Sequence, residues 1–269
     1  MSDMIVDGRQ IAADIFREVQ NEITHLSHAP HFTIMTCAPD FATSRYLKLK
    51  KAKADFVGVQ TSIVEFPVTT NTEELVTSIE RLALQTDGII VQLPLPLHID
   101  TAKVVAAIPR QLDVDQLNYD GSSDIMLPPV VGAMAEIAER HDVMFGTGSI
   151  VVVGQGSLVG KPFRMWAEQH GWVVTVVDRE TQHPEAYISA ADILVLGAGQ
   201  PHLITPESIK TGVVIFDAGT SEDNGRLAGD AHPDCAQKAA LLTPVPGGIG
   251  PVTVAVLLRN VVAAARQAV

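Results

Sequence analysis

Cysteine is almost missing from this chain. Of 269 residues only Cys37 and Cys235 carry a thiol, and they lie far apart. That scarcity excludes a disulfide framework or a thiolate metal clip and fits a reducing compartment, so a cytoplasmic protein is expected. The nine histidines show no H-x-x-x-H or comparable ligand spacing, and no metal site is expected. No apolar run reaches the roughly 20 residues that a bilayer-spanning helix needs. The N-terminal stretch "MSDMIVDGRQ" lacks the basic and then apolar regions of a signal peptide. Positive charge is also scarce. The 19 Lys and Arg are outnumbered by 31 Asp and Glu, and the net charge of −12 argues against nucleic acid or a membrane surface as partner. There is no internal repeat and no low-complexity segment.

What is present is a globular composition with 46% hydrophobic residues, enough for two modest domains. Ile11, Ile15, Val19, Ile23 and Leu26 recur at helical spacing, which predicts an amphipathic helix over residues 8–27. A strand at "HFTIMTCA", a helix at "SRYLKLKKAKADF", a strand at "VQTSIVEF", a helix at "TEELVTSIERLAL" and a strand at "DGIIVQLPLP" follow. Residues 109–130 are rich in Asp, Gly, Ser and Pro, and a domain boundary is expected near their end. A second series then runs from "SIVVVG" through "WVVTVVD", "ADILVLGAG", "GVVIFDAG" and "ALLTPV" to a long apolar helix, "PVTVAVLLRNVVAAARQ". Alternating strands and helices imply α/β architecture with largely parallel sheets.

Five stretches carry candidate chemistry. In "VVVGQGSLVGKP" a strand ends in a glycine turn, with the helix expected to begin around Leu158. The turn matches neither G-x-G-x-x-G nor the P-loop, but backbone N–H groups at such a helix start favour a pyrophosphate. Asp178 lies 24 positions after Gly154. A Rossmann unit places its ribose ligand at about that distance, about 20 residues on. Tyr46 and Lys50 are i, i+4 on one helix face, so a ring and an ammonium can meet one ligand. The bland alternative is a solvated basic face, and it suits Lys48 and Lys51 better. Gln92 sits where a buried strand stops at prolines. Asp113 and Asp115 open the irregular connector, where an Asx-turn or helix cap is the plain alternative. Finally, "TPVPGGIGPVT" at residues 243–253 alternates prolines that fix the backbone with glycines that free it, and Pro251 suits the first turn of the final helix.

In this order, "YLKLK", "VQLPLP", "GQGSLVGKP" and "TPVPGGIGPVT", with "ADILVLGAGQPHLI" and "GRLAGDAH", resemble the methylenetetrahydrofolate dehydrogenase/cyclohydrolase family over nearly the whole chain. The resemblance implies two α/β domains around a cleft: a folate and catalytic domain, here 1–128 plus the returning helix 251–269, and a Rossmann domain over 129–250. It implies oxidation of 5,10-methylenetetrahydrofolate to the methenyl form with a nicotinamide cofactor, and hydrolysis to 10-formyltetrahydrofolate in the same site. It also implies a homodimer. By position, Lys50 matches the catalytic lysine, Tyr46 the tyrosine that stacks on the folate, Gln92 the glutamine that orients the lysine, and Asp115 the aspartate on the pterin edge. Gly247, Gly248 and Pro251 match the loop lining the folate site, and Gly154, Gln155, Gly156, Ser157, Asp178 and Arg179 fall in the dinucleotide site.

The departures are specific. The family's "DVDGF" is "DVDQL", its "NxG" segment is not recognisable in "NYDGSSD", and its "PCTPxG" is "LPPVVG". Its "GRS" is "GQG" at Gln155 and Gly156, and its "HS" is Asp178–Arg179. A lost arginine and a gained carboxylate predict NAD in preference to NADP, with Arg179 as the counterweight. Two rivals stay open at this stage: a dehydrogenase that has lost hydrolysis or takes another pterin carrier, and a non-catalytic folate- or nucleotide-binding protein.

Overall fold

The structure is a computed structural model that describes residues 4–122, 126–223 and 225–267. The chain opens with β1 (Met4–Ile5), α1 (Gly8–Ile23), β2 (His31–Cys37), α2 (Phe41–Val57), β3 (Gln60–Phe66), α3 (Thr72–Leu82), β4 (Gly88–Val91) and α4 (Thr101–Ala106). Beyond the irregular connector follow α5 (Pro129–Arg140), β5 (Ile150–Val153), α6 (Gly160–Gln169), β6 (Val174–Val177), α7 (Pro184–Ala190), β7 (Ile193–Leu196) and β8 (Val214–Asp217). A hairpin of β9 (Ser221–Asp223) and β10 (Arg226–Ala228), then β11 (Leu241–Leu242) and α8 (Ile249–Gln267), complete it.

The chain forms two compact α/β units. One holds Asp14–Asn118, residues 126–128 and residues 254–267; the other holds residues 4–13, residues 119–122 and Pro129–Thr253. The final helix therefore returns to the first unit, as the resemblance implies. The division differs from the expected 1–128, 129–250 and 251–269 at its edges. Residues 4–13 go with the second unit because β1 pairs in parallel with β11, Met4 opposite Leu241 and Ile5 opposite Leu242. A two-residue strand has no period to read.

In the first unit β2 lies between β3 and β4, all parallel. Phe32, Ile34, Ile89 and Ile90 are wholly buried, and α3 adds Leu75 and Ile79 to the same core. Each such side chain contributes about 1.5–3 kcal/mol on burial. A capping box starts α3: the Asn71 side chain accepts from the Glu74 N–H, and the Glu74 carboxylate accepts from the Asn71 N–H.

The second unit has a six-stranded sheet in the order β1-β11-β8-β7-β5-β6. β5, β7 and β8 are parallel, and β5 and β7 are buried along their whole lengths, as expected for strands covered on both faces. β6 lies on one side of β5 and β7 on the other. The chain thus reverses direction across the sheet there, and the carboxyl ends of β5 and β7 form a topological switch point, where open α/β sheets take ligands.

Three expectations need correction. The helix after the glycine turn begins at Gly160, not near Leu158, since residues 157–159 form a turn. Residues 129–140, to which the sequence pattern assigns no element, are α5; the Pro128–Pro129 pair suits a helix start rather than only breaking the chain. And α8, at 19 residues, is by length and composition apolar enough to cross a membrane, although Arg259 interrupts the run. It is largely buried, with Val252, Ala255, Val261 and Val262 at 0% exposure, as in a core helix apolar all round.

Candidate functional site

The first site grows out of α2. Asp40 caps the helix by accepting from the Thr43 N–H at 2.7 Å, and Gly58 ends it in the left-handed region. The helix holds Tyr46 and Lys50 on one face, with the ammonium 4.7 Å from the ring centroid, a cation–π contact. Lys50 is 5% exposed, and its Nζ donates to Gln92 Oε1 at 3.1 Å. Gln92 lies one residue past β4, and its Nε2 donates to the Leu93 carbonyl at 2.9 Å. That second bond turns the amide so that its oxygen faces the lysine.

The connector delivers Asp115 to the same place. Ile89 and Asp113 form a single parallel bridge that lays the connector beside β4, and Gly88 leaves room for Val114, whose Cγ1 lies 2.6 Å from where a Cβ would be. The buried Asp113 carboxylate accepts from the N–H groups of Leu117 at 3.1 Å and Asn118 at 2.9 Å. Burial pushes its pKa up to about 6. Asn260 of α8 donates to the carbonyls of Val114 and Leu127, both at 2.9 Å. Asp113 and Asn260 thus fix the turn on which Asp115 sits.

Electrostatics ties the set together. Burial lowers the Lys50 pKa, and the negative charge of Asp115 partly opposes this. A lysine so placed has a neutral amine within reach and can take up or release a proton. Burial pushes the Tyr46 hydroxyl up to about 12, with Asp115 adding to it, although 37% of the residue's surface stays open. The desolvated part is the hydroxyl. Lys50 thus touches both Tyr46 and Gln92, and the charge of Asp115 reaches Tyr46 and Lys50.

At the family's glycine, Gln116 holds φ at +52°. This is the left-handed region that favours glycine, and the Gln116 Nε2 donates to the Asp113 carbonyl at 2.8 Å. Gln116 thus holds a conformation that glycine adopts readily and adds a side-chain bond. Likewise the "LPPVVG" segment becomes the start of α5, with Pro129 and Gly132 buried. The last two residues of "NYDGSSD" lie outside the described residues.

The second site lies in the six-stranded unit. Gly154 has φ +95°, and a Cβ there would come within 2.6 Å of the Gly197 carbonyl oxygen. A Cβ on Gly160 would lie 1.9 Å from the Gly154 carbonyl oxygen. Only glycine fits at either position. The backbone N–H groups of Gln155, Gly156, Ser157 and Leu158 donate to no other described residue. Gly156, Ser157 and Leu158 line a hollow walled also by Val159, Gly197, Gly199 and Ala218–Thr220, at the carboxyl ends of β5, β7 and β8, and Gln155 adjoins it in the chain. Free N–H groups around such a hollow suit a pyrophosphate.

Asp178 follows β6 directly and lies next to this turn, since the Gly154 N–H donates to the Val177 carbonyl at 2.8 Å. Its Oδ1 accepts from the Glu180 N–H and the Thr181 hydroxyl, both at 3.0 Å, so the carboxylate is held in an exposed Asx-turn. Arg179 is exposed and makes no ion pair among the described residues. The Gly247–Gly248 turn backs onto α1: a Cβ on Gly8 would lie 1.8 Å from the Gly248 carbonyl oxygen. Gly247 has φ +112°, and Pro251 falls in the first turn of α8.

The model for the tetrahydrofolate dehydrogenase/cyclohydrolase catalytic domain matches residues 6–115, and that for the NAD(P)-binding domain of the same family matches residues 128–269. The chain belongs to the tetrahydrofolate dehydrogenase/cyclohydrolase family. The bifunctional protein FolD of Brevibacillus brevis is 34% identical over 99% of both chains. The structure of the FolD bifunctional enzyme of Campylobacter jejuni superposes with a TM-score of 0.94 over 99% of both chains at 26% identity. That of Trypanosoma brucei FolD, solved with NADP and an inhibitor, gives 0.91 over 98% of both chains at 31% identity.

Among the buried polar residues that the sequence pattern does not single out are Asn260, Asp217 and Asp230. Asn260 had a signal, since an amide inside the apolar run "VLLRNVVAAA" requires a partner. Asp217 and Asp230 had a weaker one, an acidic residue ending a β-strand and another inside "LAGDAH".

Proposed function

We propose that this chain oxidises 5,10-methylenetetrahydrofolate to 5,10-methenyltetrahydrofolate with a nicotinamide dinucleotide and hydrolyses the product to 10-formyltetrahydrofolate. The observation that carries the reading is the buried Lys50 ammonium, bonded to Gln92, stacked on Tyr46 and within the field of Asp115. Tyr46 offers an open ring face to a pterin or aminobenzoyl plane. The Asp115 carboxylate accepts two parallel N–H bonds from a pterin edge. Lys50 holds a proton at the one-carbon bridge and activates the water that attacks it; Gln92 keeps its Nζ on that side. The dinucleotide, when bound, supplies the hydride acceptor. Its pyrophosphate suits the free N–H groups of Gln155–Leu158, where neither Gly154 nor Gly160 leaves room for a side chain.

The cofactor is NAD in preference to NADP. The N–H groups of the turn serve both equally, so the choice falls to the adenosine ribose. Gln155 brings no charge. Asp178, fixed by its own turn, brings a negative one beside Gly154. Two like charges about 4 Å apart repel by roughly 4 kcal/mol at a surface-like dielectric. Arg179 acts against this but has no bond holding it at the site. A spectrophotometric assay with methylenetetrahydrofolate and each dinucleotide tests the whole reading. Turnover with neither sinks the function. A wild-type preference for NADP sinks the cofactor choice, as does an Asp178→Ser variant whose kcat/KM ratio fails to move toward NADP.

A further inference from the structure

Asp217 and Asp230 are shielded from water in the six-stranded unit, at 2% and 0% exposure. Neither belongs to the Lys50 set. Asp230 directs both oxygens at the loop after β7. Its Oδ2 accepts from the Ala198 N–H at 2.6 Å and the Gly199 N–H at 3.2 Å, and its Oδ1 from the Gln200 N–H at 2.8 Å. Asp217, ending β8, accepts with Oδ1 from Gly219 at 2.9 Å and from the Asp230 N–H at 3.2 Å, and with Oδ2 from Ala231 at 2.8 Å. The Asp217 N–H in turn donates to the Thr243 hydroxyl at 2.7 Å.

The carboxylates lie against bare backbone. A Cβ on Gly219 would fall 2.2 Å from the Asp230 Cγ, and one on Gly229 would fall 2.2 Å from Asp217 Oδ2. The loops so held are two walls of the hollow, Gly197 with Gly199 and Ala218 with Gly219. Three convergent N–H donors call for an acceptor with two oxygens and a full charge. An asparagine offers one oxygen and turns an NH2 group toward donors.

We propose that Asp230, itself set by Asp217, is a positioning residue for the dinucleotide: it fixes the loop after β7, one wall of the hollow, and packs against Gly219 of the other, which Asp217 holds, without serving as a ligand. This rests on reading the hollow as the dinucleotide site. Because Asp230 consumes the N–H groups of residues 198–200, those groups cannot be donors to the cofactor. The loop's contribution is its path, and the free donors are those of the glycine turn.

The test uses the full chain with wild type, Asp230→Asn, Asp230→Ala and Gly219→Ala, the last displacing the carboxylate from the other side. Calorimetry gives Kd for NAD and for NADP. Hydrolysis of methenyltetrahydrofolate, run without dinucleotide, and the thermal midpoint report on the rest of the molecule. The expected result is a Kd raised by about tenfold or more in Asp230→Ala and Gly219→Ala and by less in Asp230→Asn, with hydrolysis kept within about threefold of wild type. If Asp230→Ala does not fold, Asp230→Asn and Gly219→Ala decide. Dinucleotide affinity unchanged within about twofold in those two overturns the proposal, and so does hydrolysis that falls in step with binding. A wild-type chain that binds neither dinucleotide overturns the reading of the hollow as well, and it does so before any variant is compared.

Discussion

The two units prepare for ligands by opposite means. In the three-stranded unit the candidate site is made of side chains: a lysine, a glutamine, a tyrosine and an aspartate, brought together by one helix, one strand end and one turn. In the six-stranded unit the site is made by leaving side chains out, so that N–H groups and strand ends are laid bare. The first depends on what atoms do and the second on how much room they leave. A substitution should therefore break the first through chemistry with the fold intact, and the second through space with the chemistry intact. Yet both units share one device, a buried aspartate that shapes a loop. Asp113 does so in one and Asp217 in the other, and burial raises each pKa to about 6.

The largest expected effect lies on the side-chain half. Lys50→Ala should slow hydrolysis of methenyltetrahydrofolate by about 10²–10⁴-fold, the usual worth of general acid–base help. Dinucleotide affinity by calorimetry should stay as it was. Hydrolysis at the wild-type rate above the uncatalysed background would remove Lys50 from the chemistry.

Next comes its counterpart. Gly154→Ala places a methyl group 2.6 Å from the Gly197 oxygen at φ +95°. Backbone strain of this sort costs about 1–3 kcal/mol. Dinucleotide binding should fall while folate hydrolysis survives. Equal loss of both would erase the contrast between the units.

A smaller effect tests the shared device. The Asp113 pKa rises from 3.8 to about 6 in the folded chain. A group raised in this way contributes stability that is full below about pH 4 and lost as pH climbs through about 6. Asp113→Asn removes that dependence. Relative to wild type, the variant should gain about 1–3 kcal/mol between pH 4 and pH 7, since each tenfold change in proton affinity is worth about 1.4 kcal/mol. Urea midpoints at the two pH values measure it. A constant difference across that range would mean that Asp113 does not titrate there.

The smallest is Gln116→Gly. A non-glycine residue in the left-handed region costs about 1–2 kcal/mol. Glycine relieves that but loses the side-chain bond to the Asp113 carbonyl, so the net gain should stay below about 1 kcal/mol. A loss of folate affinity in this variant would show that Gln116 has a role of its own beyond keeping the turn.

The sequence was legible where a physical period or an unusual residue order left a trace. The β2–α2–β3–α3–β4 run followed its hydrophobic pattern, and Lys50 and the three side chains around it were recognisable by type and order. Shorter elements left no trace: β1 has two residues, and β9 and β10 have three each. Helix α5 was hidden by its opening prolines, which mark a helix start as readily as a loop. The Gln116 departure looked like damage to the folate site because a substituted glycine suggests a changed backbone, and here the glutamine itself holds the left-handed conformation that favours glycine. Asp217, Asp230 and Asn260 act by accepting or donating within the interior, and a single polar letter does not say whether it will be buried.

The pairing of β1 with β11 bears on how this protein can be cut. Gly8–Ala13 of α1 belong to the six-stranded unit and the rest of that helix to the other, while α8 passes the opposite way after Thr253. Neither half is a cassette. A fragment begun at residue 129 would encode a sheet without its outermost strand, leaving the backbone of Leu241 and Leu242 bare along one side. Such an open margin recruits foreign strands, so the excised piece should come out of expression as aggregate. Adding residues 4–13 back as a separate peptide is the obvious remedy to try, and soluble material obtained only with that peptide would show how much of the unit's independence rests on ten residues from the other end of the chain.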